Sequence, residues 1–183
     1  MKIVFRGVNI IFVDVEASGL ASDSFPVEIG WSIDDDQLPQ SLLLRPDKAW
    51  SKTDAYADGF AVHGISYADL ITKGIPLTKA AKNLNTAWHD AVLVSDAQAH
   101  DERWIGQIYD ALGHQSPWRL VEFDVVFSTL YQQGGLAPAA AAEIAAAAKR
   151  LPAPHRAGAD AHRLRRIARA AIDPDRRAQL LAL

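Results

Sequence analysis

The stretch IIFVDVEASGL, residues Ile10–Leu20, indicates the fold class of this chain. Its four leading apolar residues are typical of a strand that other elements cover on both faces. Asp14 and Glu16 follow at the carboxyl end of that strand, where open α/β sheets bind ligands. Because side chains alternate along a strand, the two carboxylates share one face. The stretch therefore predicts a buried strand that ends in two converging acids. The alternative is an ordinary strand followed by two solvated acids.

The composition predicts one globular domain across residues 1–183, since 49% of the 183 residues are hydrophobic and 22% are charged. The absence of cysteine excludes disulfides and thiolate metal sites, and it favours a cytoplasmic protein. No apolar run approaches the roughly 20 residues of a membrane helix, so we expect no membrane partner. A formal charge of −3 argues against wrapping of a long nucleic acid but is compatible with binding a short end.

The remaining patterns predict a mixed five-stranded sheet. Further strands are expected at 27–33, 41–46, 91–97 and 119–123. Helices are expected at 66–71, at 77–89 with Thr78 as a candidate cap, at about 100–112, and over most of the remainder. This order implies an α/β fold in which the first three strands are antiparallel and helices cover both faces.

Two more acids stand on the inward faces of predicted helices. Asp101 precedes an apolar stripe that begins at Trp104, and Asp160 lies four residues before Leu164 and seven before Ile167. An acid near a helix start can also be only a cap or a partner of the helix dipole. Taken with the strand pair, however, the two positions predict a cluster of four carboxylates.

Such a cluster needs positive charge, because carboxylates brought together repel and shift each other's pKa values. Oxygen ligands favour Mg²⁺ or Mn²⁺, and about four negative charges match two divalent ions. Two-metal sites suit the hydrolysis of phosphodiesters, in which one ion activates the attacking water and the other stabilises the leaving oxygen.

A proton acceptor for that water is expected at His155. It lies in LPAPHRAGAD, residues 151–160, which Pro152 and Pro154 keep out of a helix, five residues before Asp160. An unperturbed histidine has a pKa of about 6.5 and suits general-base catalysis at neutral pH. The alternative is a surface histidine without a chemical role.

These segments together resemble the DEDDh 3′-to-5′ exonucleases, the proofreading-subunit-like branch of the ribonuclease H-like fold. DVEASGL resembles the first motif, and FPVEIGWSI resembles the strand that follows it. LVSDAQAHDERWI resembles the second motif, HRAGADA the third, and VHGIS the loop after the third strand. The resemblance spans about residues 8–170, and the ordered set is more specific than any single motif.

The resemblance implies a single exonuclease domain that acts on the 3′ end of RNA or DNA, with two ions of Mg²⁺ or Mn²⁺ and His155 as the general base. The implied metal ligands are Asp14, Glu16, Asp101 and Asp160. The backbone around Ala17 and Ser18, the side chain of Leu20, and His63 are implied to hold the 3′-terminal nucleotide.

The chain departs from the family pattern in two motifs. Ala97 and His100 stand where Asn and Phe are common, so contacts near Asp101 are expected to differ. Gly158 replaces a larger apolar residue, and we expect this to loosen the loop that presents His155.

Two other functions stay open at this point. A haloacid-dehalogenase-like phosphatase has similar acidic loops, although its chemistry needs a second Asp where Glu16 stands. A non-catalytic nucleic-acid-binding or polymerase-associated domain is the other, against which the intact acids argue. The C-terminal AQLLAL, residues 178–183, is expected to pack on its own domain or on a second subunit, so a homodimer is possible.

Overall fold

The central strand β2 (Val8–Ala17) organises the computed structural model, which describes residues 2–34, 37–50 and 55–183. Ile10 and Phe12 are buried in one hydrophobic core, and Ile11 and Val13 are buried in a second core on the opposite face. The consecutive apolar run therefore reflects a strand that is covered on both sides, as the sequence predicts.

Six strands form one mixed sheet in the described part of the chain, in the order β4-β3-β2-β5-β6 with β1 paired to β2. The other strands are β1 (Val4–Phe5), β3 (Pro26–Ser32), β4 (Gln40–Leu43), β5 (Ala91–Ser95) and β6 (Leu120–Glu122). Strand β3 is antiparallel to both of its neighbours, β2 and β4, while β5 pairs in parallel with β2 and β6 pairs in parallel with β5. The predicted mixed sheet and its antiparallel first three strands, β2 to β4, are confirmed.

Strand β1 is an addition to the five predicted strands. It joins β2 through a two-residue turn in which Arg6 and Gly7 both have positive φ, 50° and 85°. Positive φ at both turn residues is characteristic of tight hairpins. A strand of two residues is too short to produce an alternating pattern that sequence analysis could detect.

Eight helices lie in the residues described: α1 (Ala55–His63), α2 (Tyr67–Lys73), α3 (Leu77–Ala87), α4 (Gln98–Asp110), α5 (Phe123–Gln133), α6 (Pro138–Ala148), α7 (Ala157–Ile172) and α8 (Pro174–Leu181). The predicted cap at Thr78 is wrong, because α3 begins directly after Pro76 and has no side-chain cap. Capping is instead seen at α2, where Ser66 and Asp69 exchange hydrogen bonds in a capping box.

The helices pack on both faces of the sheet, as predicted. Helices α3 and α4 contribute to the core that contains Ile11, whereas α5 to α8 contribute to the core that contains Ile10. The C-terminal helix α8 packs on α6 and α7 of its own chain, and its Leu180 is buried. None of the helices described is long and apolar enough to cross a membrane.

Candidate functional site

The four predicted acids approach one another at the carboxyl end of β2. Asp14 and Glu16 are contributed by β2 itself, which shifts its register against β3 directly after Glu16. Asp101 is buried in the first turn of α4, and Asp160 lies in the first turn of α7. Asp101 and Asp160 both face the sheet, as the apolar stripes of their helices predict.

Two adjoining spaces share Asp14, Val15 and Glu16 as a common wall. The first space, called the acidic cleft below, is also lined by Asp96, His155, Asp160 and Arg163. The second, called the apolar cavity, has a volume of about 390 Å³. Besides the shared wall it is lined by Asp101 and by mostly apolar or aromatic groups, among them Leu20, Val62, His63, His100 and Trp104. Its volume lies in the range of small-ligand sites.

Burial and mutual repulsion favour the protonated forms of the acids at and beside the shared wall, as their raised pKa values indicate. Burial, and then the charges of Asp101, Glu16 and Asp160, raise the pKa of Asp14 to about 9. Burial and the charge of Asp160 raise the pKa of Glu16 to about 7. Burial also raises the pKa of Asp101 to about 7, against the opposing effect of a hydrogen bond from the Ser95 hydroxyl.

The donor set fits a hard divalent cation. One ligand atom from each of Glu16, His155 and Asp160 lies within 4.8 Å of the others, a spacing at which a cation could contact all three. Oδ1 of Asp160 is buried and has no hydrogen-bond partner among the residues that the structure describes, as expected of an oxygen that binds a ligand. Carboxylate oxygens dominate the site, which favours Mg²⁺ or Mn²⁺ over softer metals.

His155 lies beside the acids in an exposed loop directly before α7. Its φ is 51°, a left-handed conformation that is uncommon for a residue other than glycine. The next residue, Arg156, donates its backbone N–H to Oδ2 of Asp160 over 3.0 Å. The structure thus places His155 at the acidic cleft, where the sequence predicts a proton acceptor.

Gly158 lies in close backbone packing, which argues against the looser loop that the sequence leads us to expect. A Cβ atom on Gly30 of β3 would lie 2.1 Å from the backbone nitrogen of Gly158, and a Cβ on Gly158 would lie 3.1 Å from the carbonyl oxygen of Gln40. The two glycines therefore let the first turn of α7 pack directly on β3 and β4. Close packing at this point fixes the position of the helix start that carries Asp160.

Three of the residues predicted to hold the terminal nucleotide line the apolar cavity: Ala17, Leu20 and His63. Leu20 is 81% exposed at its mouth. At Ser18 the backbone N–H and the hydroxyl are both used within the loop between β2 and β3, since the N–H donates to the carbonyl of Phe25 over 2.8 Å and the hydroxyl accepts the N–H of Phe25. The structure thus brings Ala17, Leu20 and His63 to the cavity, while the backbone N–H of Ser18 is bonded within the loop.

His63 is held by bonds at both ring nitrogens. Its Nδ1 accepts the backbone N–H of Ile65, so Nε2 carries the proton and donates to the carbonyl of Ala17 over 3.2 Å. Burial lowers the pKa of His63 and keeps the ring neutral. A ligand in the cavity would therefore meet the ring of His63 rather than a free nitrogen.

The structure adds two pairs of an acid and an arginine that sequence reasoning missed. Asp96 lines the acidic cleft directly after β5, and its Oδ2 lies 3.9 Å from Nη1 of Arg163. Glu28, in the middle of β3, is buried and binds Arg156. Glu28 had a detectable signal, because an acid inside the apolar run VEIGWSI needs a specific partner.

No protein-family model and no curated protein matches the chain. Solved structures match it with confidence. The zinc-bound complex of E. coli exonuclease I with single-stranded DNA is 15% identical, has a TM-score of 0.64, and is matched over 94% of this chain and 42% of that one. The nuclease domain of 3′hExo, a DEDDh family member bound to rAMP, is 12% identical with a TM-score of 0.61, over 87% of this chain and 88% of that one.

The chain therefore has the fold of the DEDDh exonucleases, which is ribonuclease H-like, as its sequence motifs predict. It spans less than half the length of E. coli exonuclease I and most of the 3′hExo nuclease domain.

Proposed function

We propose that this protein is a metal-dependent exonuclease that hydrolyses phosphodiester bonds from the 3′ end of single-stranded or overhanging nucleic acid. One observation carries the proposal: the acidic cleft and the apolar cavity share the wall formed by Asp14 and Glu16. A terminal nucleoside in the cavity would present its phosphodiester to the carboxylates. Hydrolysis at a chain end follows from this arrangement, because the cavity holds one nucleoside-sized group.

We infer that the acids hold two divalent cations, Mg²⁺ or Mn²⁺, through Asp14, Glu16, Asp101 and Asp160. When bound, the cations would offset the negative charge that develops on the phosphoryl oxygens during hydrolysis. The raised pKa values of Asp14, Glu16 and Asp101 support this role, because a cation would relieve the repulsion that causes part of each shift.

His155 takes the proton of the attacking water at a ring nitrogen. It is exposed, so solvent can carry the proton away, and it lies beside Glu16 and Asp160. General bases of this kind contribute about 10²-fold to 10⁴-fold in rate.

The apolar cavity positions the terminal nucleotide. The indole of Trp104 and the side chains of Leu20 and Val62 form its apolar lining, against which a base can pack. The ordered motifs of the sequence support the 3′ end as the one bound. Single-stranded DNA and rAMP, present in the structures of the two neighbours, support a nucleic-acid substrate and leave the choice of sugar to experiment.

The fold bears on the two alternative functions. A haloacid-dehalogenase-like phosphatase loses its support, since the chain has the DEDDh fold. A non-catalytic nucleic-acid-binding domain stays as the competitor. We further propose a cytoplasmic location, and a homodimer is a prediction that sedimentation would check.

The test uses short RNA and DNA single strands with a 5′ label, and a duplex with a 3′ overhang. Each is incubated with Mg²⁺ or Mn²⁺, with EDTA, and with the Asp14→Asn variant. A ladder that shortens from the 3′ end, and that EDTA and the variant abolish, is the expected result. Binding without cleavage under either metal would favour the non-catalytic domain.

A further inference from the structure

Glu28 is a buried carboxylate, and both of its oxygens accept hydrogen bonds from groups of the protein. It is 1% exposed and accepts four hydrogen bonds. The donors are Ser41 Oγ, Arg156 Nε, Arg156 Nη2 and the backbone nitrogen of Ala157, at 2.9 to 3.0 Å. Arg156 grips both carboxylate oxygens, so the pair has the bidentate geometry that fixes orientation as well as charge.

Three of the four donors belong to Arg156 and Ala157, the residues that directly follow His155. The N–H of Ala157 is the first of helix α7, which has no side-chain cap of its own. Glu28 therefore takes the place of a cap, although it lies on another element. The bond from the N–H of Arg156 to Asp160 closes the same turn from the other side.

The bonds that join Glu28 to Arg156 and Ala157, called the clamp below, lie directly after a residue with a strained backbone. His155 has a φ of 51°, and a non-glycine residue keeps such a conformation only where its surroundings hold it. The hydrogen bonds that Arg156 and Ala157 donate go to the carboxylates of Glu28 and Asp160. Glu28 also pairs directly with Glu16 across β3 and β2, so the clamp connects the loop to the wall that carries the acids.

We propose that Glu28 and Arg156 are positioning residues that hold His155 at the acidic cleft. The inference rests on the proposed function, because it assigns the clamp to the general base of that reaction. Glu28 and Arg156 also act on the charge of Glu16, so the experiment has to isolate the part of the effect that passes through His155. A misplacement of about 1 Å at a catalytic group can lower a rate about 10²-fold, so the clamp is expected to affect turnover rather than substrate binding.

The competing explanation is that Glu28 only stabilises the fold. A double-mutant cycle separates the two, because coupling between Glu28 and His155 appears only if one acts through the other. Glu28→Gln keeps the shape of the side chain and removes its charge. Ser41→Ala is the matched control, since it removes one donor to the same carboxylate and leaves the bonds from Arg156 and Ala157 intact.

We expect Glu28→Gln to lower kcat about 10-fold to 100-fold with KM changed less than about 2-fold, whereas Ser41→Ala stays near wild type. In the His155→Ala background, Glu28→Gln should cause no further loss. An equal loss in both backgrounds would overturn the proposal. If Glu28→Gln fails to fold, Arg156→Lys serves instead, because it keeps the charge but loses the planar fork.

A readout without turnover keeps this inference separate from the proposed function. The ring-proton NMR signal of His155, identified by its absence in His155→Ala, should shift in Glu28→Gln and not in Ser41→Ala. The signals of His89 and His114, on exposed turns, should stay unchanged. An unmoved His155 signal would overturn the clamp even in an active enzyme. A wild type that cleaves no substrate would contradict the exonuclease, while the NMR signal would still decide the clamp.

Discussion

Glu16 and Glu28 are paired residues of neighbouring strands, yet their surroundings shift their pKa values in opposite directions. The pKa of Glu28 is lowered, because hydrogen bonds from Arg156, Ser41 and Ala157 together outweigh the effect of burial. The pKa of Glu16 rises to about 7, because burial and the charges of Asp160 and Glu28 outweigh Arg156. Strand β3 therefore carries an acid, Glu28, whose charge is compensated by hydrogen-bond donors. Strand β2 carries an acid, Glu16, whose charge is not compensated.

This difference shows that the fold is able to neutralise a buried acid where its charge is structural. Asp14 and Glu16 have no comparable set of donors among the described residues, and burying them together reduces the stability of the protein unless a cation binds. Groups with strongly perturbed pKa values in a cleft are a mark of function. The contrast between Glu16 and Glu28 can be tested by changing the residues of the acidic cleft and by changing the partner of Glu28.

The largest effect is expected when an uncompensated acid is removed. Asp14→Asn should lower exonuclease activity by at least about 10³-fold, because a cation ligand is lost from the site of phosphoryl chemistry. Without metal the variant should melt about 2–4 °C higher than wild type, since the cost of burying this carboxyl among other acids has gone. Activity assays and thermal melts in EDTA check both. A variant that no longer folds would make Asp14 a structural residue.

His155→Ala should lower the rate about 10²-fold to 10³-fold, because the water loses its proton acceptor. Calorimetric titration with Mn²⁺ should give nearly the wild-type affinity. The measurement matters because His155, Glu16 and Asp160 are close enough to share one ion. A large loss of Mn²⁺ affinity would make His155 a ligand and contradict its assignment as the base.

The ion pair between Glu28 and Arg156 can be broken by removing the guanidinium of Arg156. Arg156→Met should lower the free energy of unfolding by about 2–3 kcal/mol, because Glu28 is left charged and buried. The loss stays below that of a fully buried pair, since 49% of the Arg156 side chain is exposed. Urea unfolding at neutral pH measures it. Adding Glu28→Gln to this variant should restore part of the stability, and a further loss would contradict the charge explanation.

The last prediction is a dependence of stability on pH in metal-free protein. The pKa is about 9 for Asp14 and about 7 for Glu16 and Asp101, against about 4 for carboxyls in the unfolded chain. Between these values the folded protein retains protons that the unfolded chain has released. The free energy of unfolding should therefore be greatest near pH 4, which is about the pKa of carboxyls in the unfolded chain, and decrease as pH rises toward 9.

Thermal melts in EDTA across this range check the direction, and excess Mn²⁺ should flatten the dependence because cations replace the protons. Asp14→Asn should show a weaker slope than wild type. A melting temperature that rises with pH in metal-free wild type would contradict the uncompensated cluster.

Local pattern was sufficient for the fold class and for the positions of the acids. The run Ile10–Val13 indicated a strand covered on both faces, and a period of two placed Asp14 and Glu16 on one side of it. Helical stripes placed Asp101 and Asp160 toward the sheet. The structure brings all four to the end of β2, and their roles as ligands stay predictions. The short strand β1 was missed because two residues are too few to form a detectable pattern, and the cap expected at Thr78 was wrong although α3 does start at Leu77.

The support of the site depended on contacts between distant parts of the chain. Glu28 binds Arg156 and Ala157 from 128 and 129 residues away, and Gly30 permits the approach of Gly158. The acid in VEIGWSI and the glycine in HRAGADA are visible in the sequence, but a period indicates only which face a side chain occupies. Which partner lies on that face is set by the packing of α7 on β3, so the compensated and uncompensated acids became distinguishable only in the folded chain.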